Sequence, residues 1–355
     1  MTILDQPDRW MSVDPQSMYS LVESLPEQIE TAAKTARDLQ IREPGNARVV
    51  VVAGLGGSAI GGDLVRSIAG SGLRLPLIVN RDYGLPGFVD SSAVVIACSY
   101  SGNTEETLSA YQQACVIGAS ILCITSGGQL ESLANADGVP TLRLPGGLPP
   151  RAALGYSLTA LLVSLQKMHI LPNMDPSMQE AVLLLVKLRE RYGKASSERE
   201  NPAKILANSL YDKVVAVYGS SGMMDAVAFR WRTQIEENAK ILAMHQALPE
   251  MNHNELVGWK YPEDVLRRIG VVLLRDKGDH PQIQRRFELT RDVIAGKAGA
   301  LHEIWSEGES TFARVLSAMY LGDFVSLYMA YLNGIDPTPV EIIDFLKKNL
   351  ASQGL

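Results

Sequence analysis

Several features that mark other classes of protein are scarce in this sequence. It has only three cysteines, Cys98, Cys115 and Cys123, without a CxxC pair, and its five histidines show no HxxH or HExxH spacing. Disulfide frameworks and zinc sites need such patterns. We therefore predict reduced thiols, a cytoplasmic location, no metal and no other cofactor.

Positive charge is also scarce. Lys and Arg number 33 against 39 Asp and Glu, which gives a formal net charge of -6. Nucleic acids and anionic membranes select for clustered basic residues, so we expect no nucleic acid and no membrane as a partner. Residues 1–20 carry Asp5, Asp8 and Asp14 where a signal peptide would have a basic start, so we expect no signal peptide.

Long uninterrupted apolar runs are missing. Residues 315–335 come nearest, but Gly322, Asp323, Ser326 and Asn333 interrupt them. We expect a buried amphipathic helix there rather than a membrane span. With 355 residues and 46% hydrophobic content, the chain can form two or three globular domains.

Short apolar runs alternate with helix-like segments after an opening helix or helix pair at 15–41. Runs rich in Val and Ile without polar alternation are typical of strands buried on both faces of a parallel sheet. Such strands are predicted at 48–53, 75–79, 93–98, 120–125 and 141–144. The alternation predicts an α/β fold with a doubly wound parallel sheet, helices on both faces and ligands at the carboxyl ends of the strands.

The same pattern starts again at Lys213. A strand at 214–218 leads through a Gly-Ser turn into a long helix that ends near Lys240, and a proline-containing loop follows up to Asn252. We therefore predict a second copy of the α/β unit, with later strands at 268–274 and 299–305. The predicted organisation is N-terminal helices at 1–46, a first α/β domain at 47–175, a helical linker at 176–212, a second α/β domain at 213–335 and a C-terminal tail helix at 336–355.

Two loops at predicted strand ends are rich in neutral hydrogen-bond donors. One contains Gly57 and Ser58, and the other runs from Ser99 through Ser101 to Thr104. Free amides at a helix start, combined with hydroxyls, form an anion site. Because the second loop has no Lys or Arg, the expected anion is a phosphate monoester held by neutral donors. The alternative is an ordinary helix cap at Ser101.

Three further side chains are candidates for chemistry. Glu237 lies at the predicted end of the long helix, where the helix dipole disfavours a carboxylate, so we predict a proton-transferring base; Glu236 is expected to be solvated. Arg151 is the only charge in a Pro- and Gly-rich connection, and His253 is flanked by asparagines in a polar loop. From the residues alone, Arg151 also fits a surface position and His253 a structural hydrogen-bonding role.

Taken together, these motifs resemble the bifunctional phosphoglucose/phosphomannose isomerases, a branch of the phosphoglucose isomerase superfamily built from two sugar isomerase domains. The segments that carry the resemblance follow the family order over nearly the whole chain: 54–63, 99–106, 150–151, 237–240 and 252–255. The resemblance implies interconversion of glucose 6-phosphate, and of mannose 6-phosphate, with fructose 6-phosphate through an enediolate.

The resemblance also implies a role for each motif. The residues that would hold the phosphate are Gly57, Ser58, Ser99, Ser101 and Thr104. Arg151 would stabilise the enediolate, and Glu237 would move the proton between C2 and C1. His253 would assist ring opening from the partner subunit of a homodimer.

A lysine near the C terminus is also implied in ring opening. The spacing in the tail favours Lys347 over Lys348. Arg151, His253 and Lys347 would all contact the substrate as well as take part in catalysis.

Two other functions stay open at this point. A non-catalytic sugar-phosphate sensor would keep the phosphate loops but would not need Glu237, Arg151 and His253 to converge. An isomerase of amino sugar phosphates would need a glutamine-hydrolysing or ammonia-handling partner site, and no cysteine nucleophile stands near the start of the sequence.

Overall fold

The first half of the protein forms a five-stranded parallel sheet in a computed structural model that describes residues 3–352. Its strands are β1 Val49–Ala53, β2 Leu77–Asn80, β3 Ala93–Ser99, β4 Ser120–Thr125 and β5 Thr141–Arg143. They are ordered β2-β1-β3-β4-β5, and every pairing is parallel. The central strand β3 is buried along its whole length, as its unbroken apolar run predicts.

The second half forms a four-stranded parallel sheet. Its strands are β6 Val214–Ser220, β7 Ala243–Leu248, β8 Ile269–Arg275 and β9 Ala300–Trp305, in the order β7-β6-β8-β9. The predicted fold class of two parallel α/β units is confirmed. The prediction of a loop between Lys240 and Asn252 is wrong, because β7 occupies most of that stretch. This edge strand has a single neighbour and no β-branched residue, so its residues carry no clear strand signal.

Helices surround both sheets. In chain order they are α1 Pro7–Trp10, α2 Met18–Glu23, α3 Leu25–Asp38, α4 Gly56–Ala69, α5 Glu105–Ile117, α6 Gly128–Asp137, α7 Leu154–Lys167, α8 Asp175–Tyr192, α9 Pro202–Leu210, α10 Asp225–Gln234, α11 Glu255–Gly258, α12 Glu263–Leu266, α13 Pro281–Ile294, α14 Thr311–Leu332 and α15 Glu341–Ser352. On one face of the first sheet, Val50 packs with α4 and α7; on the other, Val51 packs with Ala114 of α5. Both faces are therefore covered, as the doubly wound prediction requires.

The long helix α14 lies in the interior of the protein. It is long and apolar enough to cross a membrane, but 94% of its most hydrophobic window is buried in the protein. The prediction of a buried helix here is confirmed. The prediction that it is amphipathic is wrong, because it is buried on all sides apart from Thr311, Arg314 and Leu332.

Close packing fixes α10 against α14. A Cβ on Gly322 of α14 would lie only 2.3 Å from Trp231 Nε1, so a glycine is needed where the indole crosses. Trp231 Nε1 donates to the carbonyl oxygen of Ala318 at 2.9 Å, which satisfies the buried indole. This contact sets the position of the chain that follows α10, where Glu237 lies.

Candidate active site

The hydroxyl-rich loop after β3 is held by its own hydrogen bonds. Ser99 Oγ donates to Thr104 Oγ1 at 2.9 Å and accepts from the backbone N–H of Gly102 at 3.1 Å. Ser101 is exposed, and its Oγ accepts from the backbone N–H of Asn103 at 3.3 Å. The loop therefore presents a set of fixed hydroxyls, of which Ser101 faces solvent.

Neither α4 nor α5, which both start at this edge of the sheet, has a side-chain cap. Helix α4 begins at Gly56, and α5 begins at Glu105 after Thr104, whose hydroxyl bonds Ser99 instead of a helix amide. The alternative that Ser101 caps the helix is wrong, because the helix begins only at Glu105. The amides of both first turns are thus not taken by a capping side chain, which is the condition for binding an anion there.

The glycine turn joins this loop to the segment of Arg151. Ser58 is 9% exposed, and its Oγ accepts from the backbone N–H of Tyr100 at 3.1 Å. A Cβ on Gly57 would lie 3.0 Å from the carbonyl oxygen of Pro150 and 3.4 Å from the backbone nitrogen of Arg151. The two loops and the arginine therefore meet at the carboxyl edge of the first sheet, the expected place for a ligand in such folds.

Arg151 is only 4% exposed, so the alternative of a surface arginine is wrong. Its Nε donates to Asn238 Oδ1 at 2.8 Å, and its Nη2 donates to the carbonyl oxygens of Pro337 and Thr338 at 2.7 and 2.9 Å. Its Nη1 lies 3.4 Å from Glu237 Oε2. A guanidinium has five donors, so one Nη1 hydrogen has no partner among the described residues.

Electrostatics at Arg151 follow from its burial. Burial lowers the pKa of the guanidinium, and the carboxylate of Glu237 opposes that shift. Arginine stays charged in proteins even so. A buried positive charge beside a carboxylate and an unused N–H is an arrangement that can stabilise an oxyanion formed during a reaction.

Glu237 lies in a π-helical turn, Ile235–Ala239, which directly follows α10. Its side chain is 30% exposed, whereas Asn238 beside it is fully buried and donates from Nδ2 to Ser326 Oγ at 2.9 Å. A π turn changes the direction of successive side chains and is common at functional sites. Here it lets Asn238 hold the arginine while Glu237 reaches a partly open space.

The two charged neighbours of Glu237 face elsewhere. Glu236 pairs with Arg232 at 3.2 Å, with both side chains about one-third exposed, which agrees with its expected solvated position. Lys240 donates from Nζ to the carbonyl oxygens of Glu237 and Pro337 at 2.5 and 3.2 Å. Burial, and then the charge of Arg151, lower the pKa of Lys240. The lysine therefore binds the backbone of this turn and leaves the Glu237 carboxylate available.

A buried ion pair holds the backbone of Arg151, and this pair was not predicted from the sequence. Arg230 of α10 donates from Nη2 to the carbonyl oxygen of Arg151 at 2.8 Å and to Asp323 of α14 at 3.0 Å. Burial raises the pKa of the Asp323 carboxyl, and Arg230 opposes the shift. The available signal was Asp323 within an apolar run, since a buried carboxylate needs a partner.

Two predicted site residues make no bond with this cluster within one protomer. His253 is exposed at the end of the 3₁₀ turn Glu250–His253, and Lys347 is exposed on α15. Among residues 3–352, neither makes a hydrogen bond or ion pair with Arg151, Glu237 or the loop hydroxyls. In the same part of the chain, no group of three or more His, Cys, Asp or Glu side chains is placed to hold a metal ion.

If the loop binds phosphate as the sequence predicts, we expect Ser101→Ala combined with Thr104→Ala to raise the KM for a sugar phosphate by about 10- to 100-fold, because each hydroxyl lost would remove a hydrogen bond to a charged group. The kcat should change far less. Steady-state kinetics measure both values. Ser132→Ala on the exposed side of α6 is the matched control and should leave KM unchanged. An unchanged KM in the double variant would mean that the loop does not bind phosphate.

Known proteins match the chain over most of its length. A bifunctional phosphoglucose/phosphomannose isomerase from Caldicellulosiruptor bescii is 45% identical over 335 residues, which cover 94% of this chain and 99% of that protein. One from Aquifex aeolicus is 33% identical over 336 residues, covering 94% and 98%. A D-glucosamine-6-phosphate 4-epimerase from Sulfolobus acidocaldarius is 33% identical over 211 residues, covering 59% and 63%.

A family model and a solved structure agree with these relatives. The model of the bacterial phospho-glucose isomerase C-terminal SIS domain matches residues 199–350. A glucose-6-phosphate isomerase like protein from Thermus thermophilus superposes with a TM-score of 0.64 at 19% identity, covering 95% of this chain and 98% of that one, which shows a shared fold. With relatives this similar over nearly their full length, the chain belongs to the family of bifunctional phosphoglucose/phosphomannose isomerases.

Proposed function

We propose that this protein interconverts glucose 6-phosphate and mannose 6-phosphate with fructose 6-phosphate by proton transfer through an enediolate. The observation that carries the proposal is the contact between the buried Arg151 and the Glu237 carboxylate, 3.4 Å apart, beside the uncapped loop after β3. A base, a cation and an anion site in one place are what such a reaction needs. A sugar-phosphate sensor would need only the anion site.

The phosphate is proposed to bind at the starts of α4 and α5. The backbone of Gly57 and the hydroxyls of Ser58, Ser99, Ser101 and Thr104 would donate to its oxygens, with the helix dipoles adding partial positive charge. No lysine or arginine is needed, so the positive charge of Arg151 remains for the reacting end of the sugar.

Proton transfer is assigned to Glu237. With the chain form of the aldose bound, its carboxylate takes the proton from C2 while the electrons of the broken C–H bond form the enediolate and place negative charge on O1. The unused N–H of Arg151 Nη1 stabilises that charge. Return of the proton from Glu237 to C1, with transfer of the O2 proton to O1, gives the ketose. The reaction is redox-neutral for the protein.

Ring opening is proposed to involve His253 and Lys347, which would complete the site in a homodimer. His253 is exposed and makes no bond with Arg151 within one protomer, which supports a contribution of His253 across a subunit interface. Thr338 lies beside Arg151 with its Oγ1 buried and without a hydrogen-bond partner among the described residues. Its hydroxyl therefore keeps an unused donor beside the proposed site.

We also propose that the protein is cytoplasmic and that the domain limits are those given above, with boundaries near residues 46, 175, 212 and 335. The three cysteines are free, and two of them are buried. Burial raises the pKa of Cys98 and of Cys123 to about 12, so neither is a reactive thiolate at neutral pH. Unpaired, unreactive thiols fit a reducing compartment.

A coupled assay tests the function directly. We expect fructose 6-phosphate to form from glucose 6-phosphate and from mannose 6-phosphate in excess chelator. The same assay with glucosamine 6-phosphate tests the amino-sugar alternative, since the Sulfolobus relative is a D-glucosamine-6-phosphate 4-epimerase. A strict requirement for added zinc would overturn the mechanism, and turnover of glucosamine 6-phosphate alone would overturn the substrate assignment.

A further inference from the structure

The C-terminal helix α15 has an exposed apolar stripe. With 3.6 residues per turn its large apolar side chains fall on one side of the helix. We call this the tail stripe: Ile342, Ile343, Phe345, Leu346 and Leu350. Ile342 is 78% exposed and Phe345 is 65% exposed. An apolar helix face in water indicates a surface that packs against something else.

A second exposed apolar surface lies on the second α/β unit. It is a groove of about 570 Å³ formed by α11, α12, the turn between them and the turn after α13, which we call the 256–261 groove. Two large side chains on its rim are open to solvent, Val257 at 77% and Tyr261 at 69%. Within the protomer, the tail stripe does not cover this groove, since both surfaces are exposed.

Each surface is joined by a short stretch of chain to a residue of the proposed active site. The carbonyl oxygen of Thr338 accepts from Arg151 at 2.9 Å, and α15 begins three positions later at Glu341. The groove begins at Leu256, three positions after His253. At about 3.5 Å per residue, each surface starts within about 10 Å of its anchoring residue.

The proposed homodimer brings these anchors together. It places His253 of one protomer in the site that contains Arg151 of its partner. The groove of the first protomer and the tail helix of the partner then both start near the same site. This step rests on the proposed function.

Charge is complementary as well. The groove is lined by Lys260, Arg267 and Lys297 against one acidic residue, Glu263. The first turn of α15 carries Glu341 and Asp344. The acidic start of the tail helix would therefore lie beside a basic groove.

We propose that α15 of each protomer packs its tail stripe into the 256–261 groove of a second copy of this chain. The exchange is reciprocal, so a two-fold dimer closes with two identical contacts. It also brings Lys347 of one subunit and His253 of the other to one site by a single packing event. The partner of the exposed tail helix is thus another copy of the protein.

Two single variants each disrupt one of the two surfaces of the proposed contact, the tail stripe or the 256–261 groove. Leu346→Asp alters the stripe and Val257→Asp alters the groove; both sites are exposed in the protomer, so folding should be retained. We expect each to raise the dimer dissociation constant by about 10²- to 10⁴-fold, because every variant homodimer loses two such contacts and one buried Leu-sized side chain contributes about 10- to 100-fold. Val116→Asp, at a position 90% exposed on α5, is the matched control and should leave it unchanged.

Mixing the two variants distinguishes a tail helix that packs on the partner subunit from one that packs on its own chain. Each homodimer has both contacts broken, whereas a mixed dimer keeps one intact helix and one intact groove facing each other. Random mixing makes half of the dimers mixed, each with one of two contacts restored, so activity should return to about a quarter of the wild-type value. No gain on mixing would overturn the exchange, because packing within one chain cannot be complemented.

A parallel mixture distinguishes this result from a failure of the proposed function. Glu237→Gln and His253→Ala, inactive separately, should recover activity together if the site is shared between subunits. If activity recovers in the Glu237→Gln and His253→Ala mixture but not in the Leu346→Asp and Val257→Asp mixture, the tail-helix exchange is overturned and the proposed function is retained. Loss of recovery in both overturns the shared site itself, and the exchange with it.

Discussion

Glu237→Gln is expected to lower kcat by about 10²- to 10⁴-fold, the usual contribution of a positioned general base. The amide keeps the size of the side chain and can still accept from Arg151 Nη1, 3.4 Å away. It cannot take a proton from carbon at neutral pH. The change should therefore remove turnover while the loop after β3, the proposed phosphate site on other elements, still binds sugar phosphate.

Two measurements check this expectation. Steady-state kinetics give kcat, and calorimetric titration with fructose 6-phosphate gives the dissociation constant, which should stay within a few-fold of the wild-type value. Glu236→Gln is the control, because that carboxylate pairs with Arg232 at the partly exposed side of the helix. A nearly normal kcat in Glu237→Gln would show that another group carries the proton.

Arg151→Lys is expected to lower kcat by about 10²- to 10³-fold, the range seen when one oxyanion donor is removed. Lysine keeps the positive charge but has no planar fork. It cannot reach Asn238, the carbonyl of Pro337 and a developing oxyanion at once. The predicted loss therefore falls on the reaction step, with a smaller effect on KM.

The same substitution should also reduce stability. Asn238 is fully buried, and the carbonyl oxygens of Pro337 and Thr338 each accept from Arg151. Leaving such groups unsatisfied costs about 1–3 kcal/mol each, so thermal unfolding should shift to lower temperature. Arg143→Lys, whose side chain is 71% exposed, is the control for both readouts. An unchanged kcat in Arg151→Lys would mean that the guanidinium is structural only.

The interior of the first sheet was predictable because its signal is local. Val49–Ala53 and Ala93–Ser99 are unbroken apolar runs, and a strand buried on both faces needs that composition whatever surrounds it. The position of the Ser99 and Thr104 hydroxyls could be predicted for the same reason, since these residues follow a strand and precede a helix. The edge strand Ala243–Leu248 was missed because it contains no β-branched residue and its residues have no strong β preference.

Sequence alone therefore determined the α/β class, the two-unit organisation, the hydroxyl-rich loop after β3 and the motifs that carry the family resemblance. All of these depend on residues close together in the chain. Only the tertiary structure decided that Arg151 is buried against Glu237, 86 positions away, that Asp323 is paired with Arg230, and that α15 exposes its apolar face. Spacing and periodicity report how a segment meets its immediate neighbours, whereas burial and pairing of a charge depend on which distant segments pack around it.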